Sequence, residues 1–133
     1  MRGSCLCGAV VYEVEALDSP PRHCSCSMCR KAHAAAFNTS AGVSRSRFRW
    51  LQGEEVLRAY ESSPGKRRYF CGNCGSQLIA HRDGSPMIAL RVATLDDDPG
   101  QRPQAHIWVS QEVAWLDYTT DVRSYAEWEP KTK

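Results

Sequence analysis

Three thiols fall within six residues at Cys24-Ser25-Cys26-Ser27-Met28-Cys29, with two cations, Arg30 and Lys31, directly after them. Two further pairs flank this stretch: Cys5 and Cys7 near the start, and Cys71 and Cys74 past the middle. A buried structural cysteine acts as a small hydrophobe and has no reason to recur at spacings of two and three. Those spacings place several sulfurs around one metal ion, and thiolate sulfur selects zinc by default. The alternative is a disulfide framework. It fits poorly with an odd total of seven cysteines and with the expected reducing compartment.

Structural zinc sites close with four protein ligands, whereas catalytic ones keep a position open. Seven thiols divide naturally into four and three. C-x-C at Cys5 and Cys7 with C-x-x-C at Cys71 and Cys74 makes a closed set that ties the N-terminus to the middle of the chain. Cys24, Cys26 and Cys29 then offer three thiolates and one vacancy. Spacing alone leaves other partitions open.

A vacancy beside three thiolates implies particular chemistry. Zinc so bound has a formal charge of −1 and acidifies water less than zinc held by neutral imidazoles. Its open position suits a soft external ligand, a substrate thiol kept as thiolate beside an electrophile. Arg30 and Lys31 are candidates for binding an anionic substrate, or else a solvated edge. Asn38 and Thr39, just past the loop, are candidates to line the site. His23 and His33 flank the thiols and are candidates for acid, base, fourth ligand or support of a ligand. His81 and His106 read as hydrogen-bonded core or rim residues. Trp50, Trp108 and Trp115 read as core aromatics.

These side chains must be held by a chain of 133 residues, 42% hydrophobic and 24% charged, with net charge +2. That length suits one domain over 1–133, with a core over about 3–116 and a C-terminal tail over 117–133. The charge is too small to make nucleic acid the expected main partner. No apolar run reaches the ~20 residues a membrane helix needs, and Met1 to Cys5 lacks the apolar core of a signal peptide. The expected location is cytoplasmic.

Residues 8–16 read as a strand, closed by Asp18-Ser19-Pro20-Pro21. The triple-cysteine stretch reads as a loop, with a helical turn over Lys31–Ala36 after Cys29. Such a turn would aim backbone N–H groups at thiolates. Residues 37–40 read as a short strand and Ala41-Gly42 as a turn. The next strand, 43–51, sets Arg45, Arg47 and Arg49 on one face, opposite Phe48 and Trp50: a solvated face or an anion-binding strip. Residues 56–61 form another strand candidate before the turn Ser62-Ser63-Pro64-Gly65. Cys71-Gly72-Asn73-Cys74-Gly75 is a tight C-x-x-C-G turn. Residues 76–81 and 87–94 read as strands, Asp96–Gly100 as a solvated loop, and 121–128 as a helical turn. Many short strands with scraps of helix predict an all-β domain.

Cys5-Leu6-Cys7-Gly8, Cys24-x-Cys26-x-x-Cys29-Arg30-Lys31, Phe70-Cys71-x-x-Cys74-Gly75-Ser76 and His106-Ile107-Trp108-Val109-Ser110 together resemble the glutathione-dependent formaldehyde-activating family, whose domain the related centromere protein V shares. The resemblance runs from about Gly3 to Trp115. It implies small antiparallel sheets in a β-tent-like, zinc-ribbon-related arrangement. It also implies two zinc ions per chain: a structural one on Cys5, Cys7, Cys71 and Cys74, and a catalytic one on Cys24, Cys26 and Cys29. The implied activity is a carbon–sulfur lyase joining a small thiol such as glutathione to formaldehyde, and the reverse. Ser25 stands where some members have histidine, a departure that touches the substrate rather than the metal.

Two other readings come from different classes. One is a non-catalytic zinc-bearing β module that binds a protein or nucleic acid through Arg45, Arg47, Arg49, Arg67 and Arg68. The other is a redox or metal-buffering protein with the three-thiol site as a labile store.

Overall fold

The computed structural model describes residues 1–117 and 122–131. Among these, the chain runs β1 (Arg2–Ser4), β2 (Val11–Val14), β3 (Arg22–Cys24), α1 (Ser27–His33), β4 (Asn38–Ser44), β5 (Phe48–Gln52), β6 (Leu57–Ser63), β7 (Lys66–Cys71), β8 (Gln77–Arg82), β9 (Met87–Arg91) and β10 (Ala105–Ile107). The protein is all-β with one short helix. Two sheets form: β1-β2-β5, and a larger one ordered β10-β3-β4-β9-β8-β7-β6. All pairings are antiparallel except β10, which runs parallel to β3.

The alternation of β2 explains its place. Tyr12 and Val14 are fully buried while Val11 and Glu13 are not, as a period of two requires. Tyr12 stacks on Phe48 at 5.3 Å and meets Trp50 edge-on at 6.2 Å. Its hydroxyl lies 2.7 Å from Thr94 Oγ1. The larger sheet adds Val43, Leu78, Ile79, Ile88 and Leu90 to the same core. Cys5 and Cys71 belong to it as well, so one cysteine cluster is built into the core.

Four expectations change. Residues 38–44 form one strand, and Ala41-Gly42 is not a turn. Gly42 is needed for close approach: its N–H donates to Ser19 Oγ at 2.8 Å and its carbonyl accepts from Asp18 N at 2.8 Å. A Cβ there would sit 3.1 Å from Ser19 Oγ. Asp18 and Ser19 thus continue the edge that β3 begins.

The arginine strand over 43–51 is broken by a 3₁₀ turn at Arg45–Arg47. Asp18 causes the break by accepting from the backbone N–H and hydroxyl of Ser44. Arg47 pairs with Asp18 and Arg49 with Glu13, so two of the three guanidinium groups are already matched. In the tail, residues 122–128 carry no helix, and Asp121 lies outside the described residues. The Asp96–Gly100 loop is tied back rather than merely solvated: Ser4 Oγ donates to Asp96, and Arg2 N to Asp97 Oδ2 at 2.7 Å.

Gly53 gives the first prediction. Its φ is +82°, and an added Cβ would lie 2.1 Å from the Ala9 carbonyl oxygen. The left-handed conformation costs a side chain about 1–2 kcal/mol, and the overlap forces a backbone shift besides. Gly53→Ala is expected to destabilise by at least about 2 kcal/mol, read as a lower midpoint in urea with unchanged slope.

Candidate metal centres and the cleft beside them

The first cluster closes between two turns. Cys5 and Cys7 follow β1; Cys71 ends β7, and Cys74 lies in the turn after it. Cys5 and Cys7 Sγ are 3.6 Å apart, and Cys7 and Cys71 Sγ 3.9 Å. Tetrahedral zinc with Zn–S bonds of about 2.3 Å needs S···S separations of about 3.8 Å, so the donor set fits that ion. Val10 N–H donates to Cys5 Sγ at 3.2 Å, a bond suited to thiolate. Ser76, through its hydroxyl and its backbone, pulls the Cys74 thiol down to about 5.

The second cluster joins three elements. Cys24 ends β3, Cys26 is the N-cap of α1, and Cys29 lies inside that helix. The helix therefore starts at Ser27, ahead of Cys29, and not over 31–36 as the alanines suggested. The Cys26 side chain satisfies the Cys29 N–H at 3.3 Å, which is what a cap does. Ala34 ends the helix in the left-handed region at φ 48°. In each cluster the ligand atoms lie within 4.8 Å of one another, so two sets of cysteines could hold metal ions. None of the seven cysteines is in a disulfide.

Ser25, fully buried, fixes the loop. Its N–H donates to the Ile107 carbonyl at 3.1 Å, and its Oγ lies 2.6 Å from His106 Nε2. Strand β10 thereby holds the cysteine loop in place. From the same segment, Gln111 Oε1 accepts from Ser27 N–H at 2.9 Å. His81 Nε2 lies 2.9 Å from the Ser85 carbonyl, a rim role as expected.

Cys24, Cys26 and Cys29 open onto a cleft of about 380 Å³ lined also by Asn38, Ser40, Lys66, Arg68, Arg91 and Trp108. Strand periodicity builds this surface. Asn38 and Ser40 of β4, Lys66 and Arg68 of β7, and Ala89 and Arg91 of β9 each occupy alternate positions on one sheet face. Arg22 and Arg82 complete a set of five cations, and among the described residues no aspartate or glutamate lines the cleft. Arg68 is 3% exposed; its Nε donates to Ser62 Oγ at 3.0 Å, and Nη1 and Nη2 approach Cys29 Sγ at 3.9 and 4.0 Å. Burial raises the Cys29 thiol pKa, but bonds from Cys26 and Cys24 and the Arg68 guanidinium outweigh it and leave that pKa lowered. Lys66 is held below its ordinary range by burial and by Arg68 and Arg91.

The residues singled out from sequence fall unevenly around this cleft. Asn38 lines it, its Nδ2 at 3.9 Å from Cys29 Sγ. Thr39 points elsewhere, its hydroxyl 2.8 Å from His23 Nδ1. Arg30 Nε donates to the Ser25 carbonyl at 3.2 Å, and Lys31 is exposed. Neither of these two cations is among the lining residues. His23 packs on Phe37 at 4.3 Å. Trp50 packs on the core, but Trp108 and Trp115 are 56% and 75% exposed. Trp108 is a cleft wall rather than core. Arg67 and Arg68 do not form one strip: adjacent strand residues face opposite ways, and Arg67 pairs with Asp83. Arg91 carried no signal except its alternation with Ala89.

His33 gives a second prediction. Burial, then Arg91 and Arg68, lower its pKa to about 4, against about 6.5 unfolded. Between these values the unfolded chain binds the extra proton, so stability present above pH 6.5 is lost as pH falls toward 4. His33→Gln is expected to show a shallower loss over that window in chemical denaturation.

The model of the family described as glutathione-dependent formaldehyde-activating enzyme matches residues 1–111. No curated protein matches the chain. A solved crystal structure of a Rhodobacter sphaeroides protein is 32% identical, covers 77% of this chain and 98% of its own, and superposes with a TM-score of 0.64. No helix among the described residues is long and apolar enough to cross a membrane. With its cysteine elements gathered into two clusters, the chain belongs to the glutathione-dependent formaldehyde-activating enzyme family.

Proposed function

We propose that the protein is a zinc-dependent carbon–sulfur lyase acting on a small thiol such as glutathione and an aldehyde. The reaction is RSH + H₂C=O ⇌ RS–CH₂OH: a carbon–sulfur bond forms, and the thiol proton ends on the new hydroxyl. The observation that carries this reading is the contrast between the clusters. Four thiols close on one another at the margin of the core, which Cys5 and Cys71 enter, while three line a cationic cleft. Zinc on Cys24, Cys26 and Cys29 would supply an open soft-ligand position that keeps a thiol ionised at neutral pH. Zinc on Cys5, Cys7, Cys71 and Cys74 would be structural.

The chain's own residues hold the rest in place. Arg68 offsets the negative charge of the thiolates through Cys29. Asn38 offers an amide N–H on the same side. Trp108 and Met28 add apolar surface to the lining of the cleft. The test is exchange NMR on glutathione and ¹³C-formaldehyde with the zinc-loaded protein. The expected result is faster interconversion of free and hydroxymethylated thiol than in buffer. Rates equal to those in buffer would overturn the reading.

A further inference from the structure

Trp108 carries backbone strain at the edge of the cleft. Its φ of 57° and ψ of 36° lie in the left-handed region, which bulky side chains seldom enter. Both flanks of this residue are tied to the cysteine loop. On one side the Ile107 carbonyl accepts from Ser25 N–H; on the other Gln111 Oε1 accepts from Ser27 N–H. Gln111 N–H donates in turn to the Trp108 carbonyl at 3.0 Å. The two anchors bracket Cys26 in sequence, so the turn that carries the indole lies along the three-thiol loop.

This strain gives folding little in return. A tryptophan normally stabilises a fold by burying its ring, yet Trp108 is 56% exposed. Glycine would take the same backbone without strain. Left-handed conformations of this kind persist where the surrounding structure enforces them, and they gather at ligand sites. Trp108 lines the cleft together with the exposed Met28.

We propose that Trp108 is a specificity-determining residue: its indole packs against the body of the thiol substrate, away from the reacting sulfur, and favours thiols with an extended body over short ones. This rests on the lyase reading and deepens it. A cleft of about 380 Å³ falls in the range that takes a whole small ligand, not only its reacting atoms. The indole face offers a large flat contact for planar groups such as amides, with few torsions to fix. The left-handed backbone sets the direction in which that face is presented.

The first test uses S-methylglutathione, whose thioether cannot supply a thiolate and so reports on the body alone. Calorimetry with the zinc-loaded full chain is expected to show binding that Trp108→Gly weakens at least about tenfold. Trp108→Phe, which keeps a flat ring, is expected to recover most of it. The urea midpoint of Trp108→Gly is expected to be no lower than the parent's, because relief of strain offsets the freedom that glycine adds to the unfolded chain. Affinity lost without stability lost marks a substrate contact. In exchange NMR with formaldehyde, kcat/KM for glutathione relative to 2-mercaptoethanol is expected to fall about tenfold in Trp108→Gly.

No binding of S-methylglutathione to the parent, or equal binding to Trp108→Gly, would overturn the proposal. So would an equal loss of turnover for both thiols. Lower midpoints in both Trp108→Gly and Trp108→Phe would make the ring a structural element and overturn it as well. A parent dimer that Trp108→Gly dissociates in sedimentation would make the indole an interface instead. Trp108-dependent binding of S-methylglutathione, with no turnover of either thiol, would sink the lyase reading and leave the contact standing.

Discussion

Cys26→Ser is expected to abolish turnover and remove one zinc while the fold stays in place. Cys26 is an unusual site for a clean experiment because it has two roles that serine separates. Its Sγ caps α1 by accepting the Cys29 N–H, and serine is among the preferred capping residues. The substitution therefore keeps the helix start, at a cost of less than about 1 kcal/mol. Its other role is metal ligation, and a neutral hydroxyl is a poor replacement for a thiolate on zinc. Two thiols remain, too few to retain the ion. Turnover should fall by more than the 10- to 100-fold typical of losing a group that only supports a ligand. Thermal unfolding of the metal-free forms, zinc content and exchange NMR together check this. A folded Cys26→Ser protein with full turnover would remove the three-thiol cluster from the chemistry.

Cys71→Ser is expected to do the opposite and destroy the fold. Cys71 is fully buried, ends β7 and belongs to the hydrophobic core. Its cluster joins sequence positions 64 apart through Cys7 and Cys71. Apparent zinc affinity in structural sites is on the order of 10–16 kcal/mol, while whole domains are stable by only about 5–15 kcal/mol. Losing even part of the first term exceeds the margin. Circular dichroism and amide dispersion should show an unfolded or molten chain at 37 °C. A cooperative transition within a few degrees of the parent would mean that the four-thiol cluster does not hold the fold together. The two variants thus assign opposite consequences to the same chemical change.

The contrast between these sites was partly legible in the sequence. C-x-C and C-x-x-C spacings carry their own geometry, because a sulfur two or three residues from another can reach the same ion. What the spacings leave open is which pairs meet, and the fold brings Cys5 and Cys7 to Cys71 and Cys74. The alanines point to a helix over 31–36, later than α1 at Ser27–His33. Alanines at 34–36 have high helix propensity, but the Cys26 cap starts the helix early and Ala34 in the left-handed region ends it. A cysteine that caps a helix through its Sγ lies outside ordinary propensity. Glycine usually marks a turn, while Gly42 sits inside β4 and admits the Ser19 hydroxyl.

The cleft was harder to read. Arg30 and Lys31 are adjacent to the cysteines in sequence, yet Arg30 bonds to the loop backbone and Lys31 faces solvent. Of the five cations that do line the cleft, Arg22 alone is near the three cysteines in sequence; Lys66, Arg68, Arg82 and Arg91 come from strands dozens of residues away. Strand alternation puts each of them on one face. Knowing that the faces coincide requires the strand order β4-β9-β8-β7, which no single-sequence pattern supplies.

The central claim is a closed four-thiolate site beside an open three-thiolate site, and native mass spectrometry of the reduced, zinc-loaded chain tests it most directly. The account predicts two zinc ions in the parent protein and one in Cys26→Ser. It also predicts that glutathione adds its own mass to the parent but not to the variant. One zinc in the parent, with no response to glutathione, would contradict it.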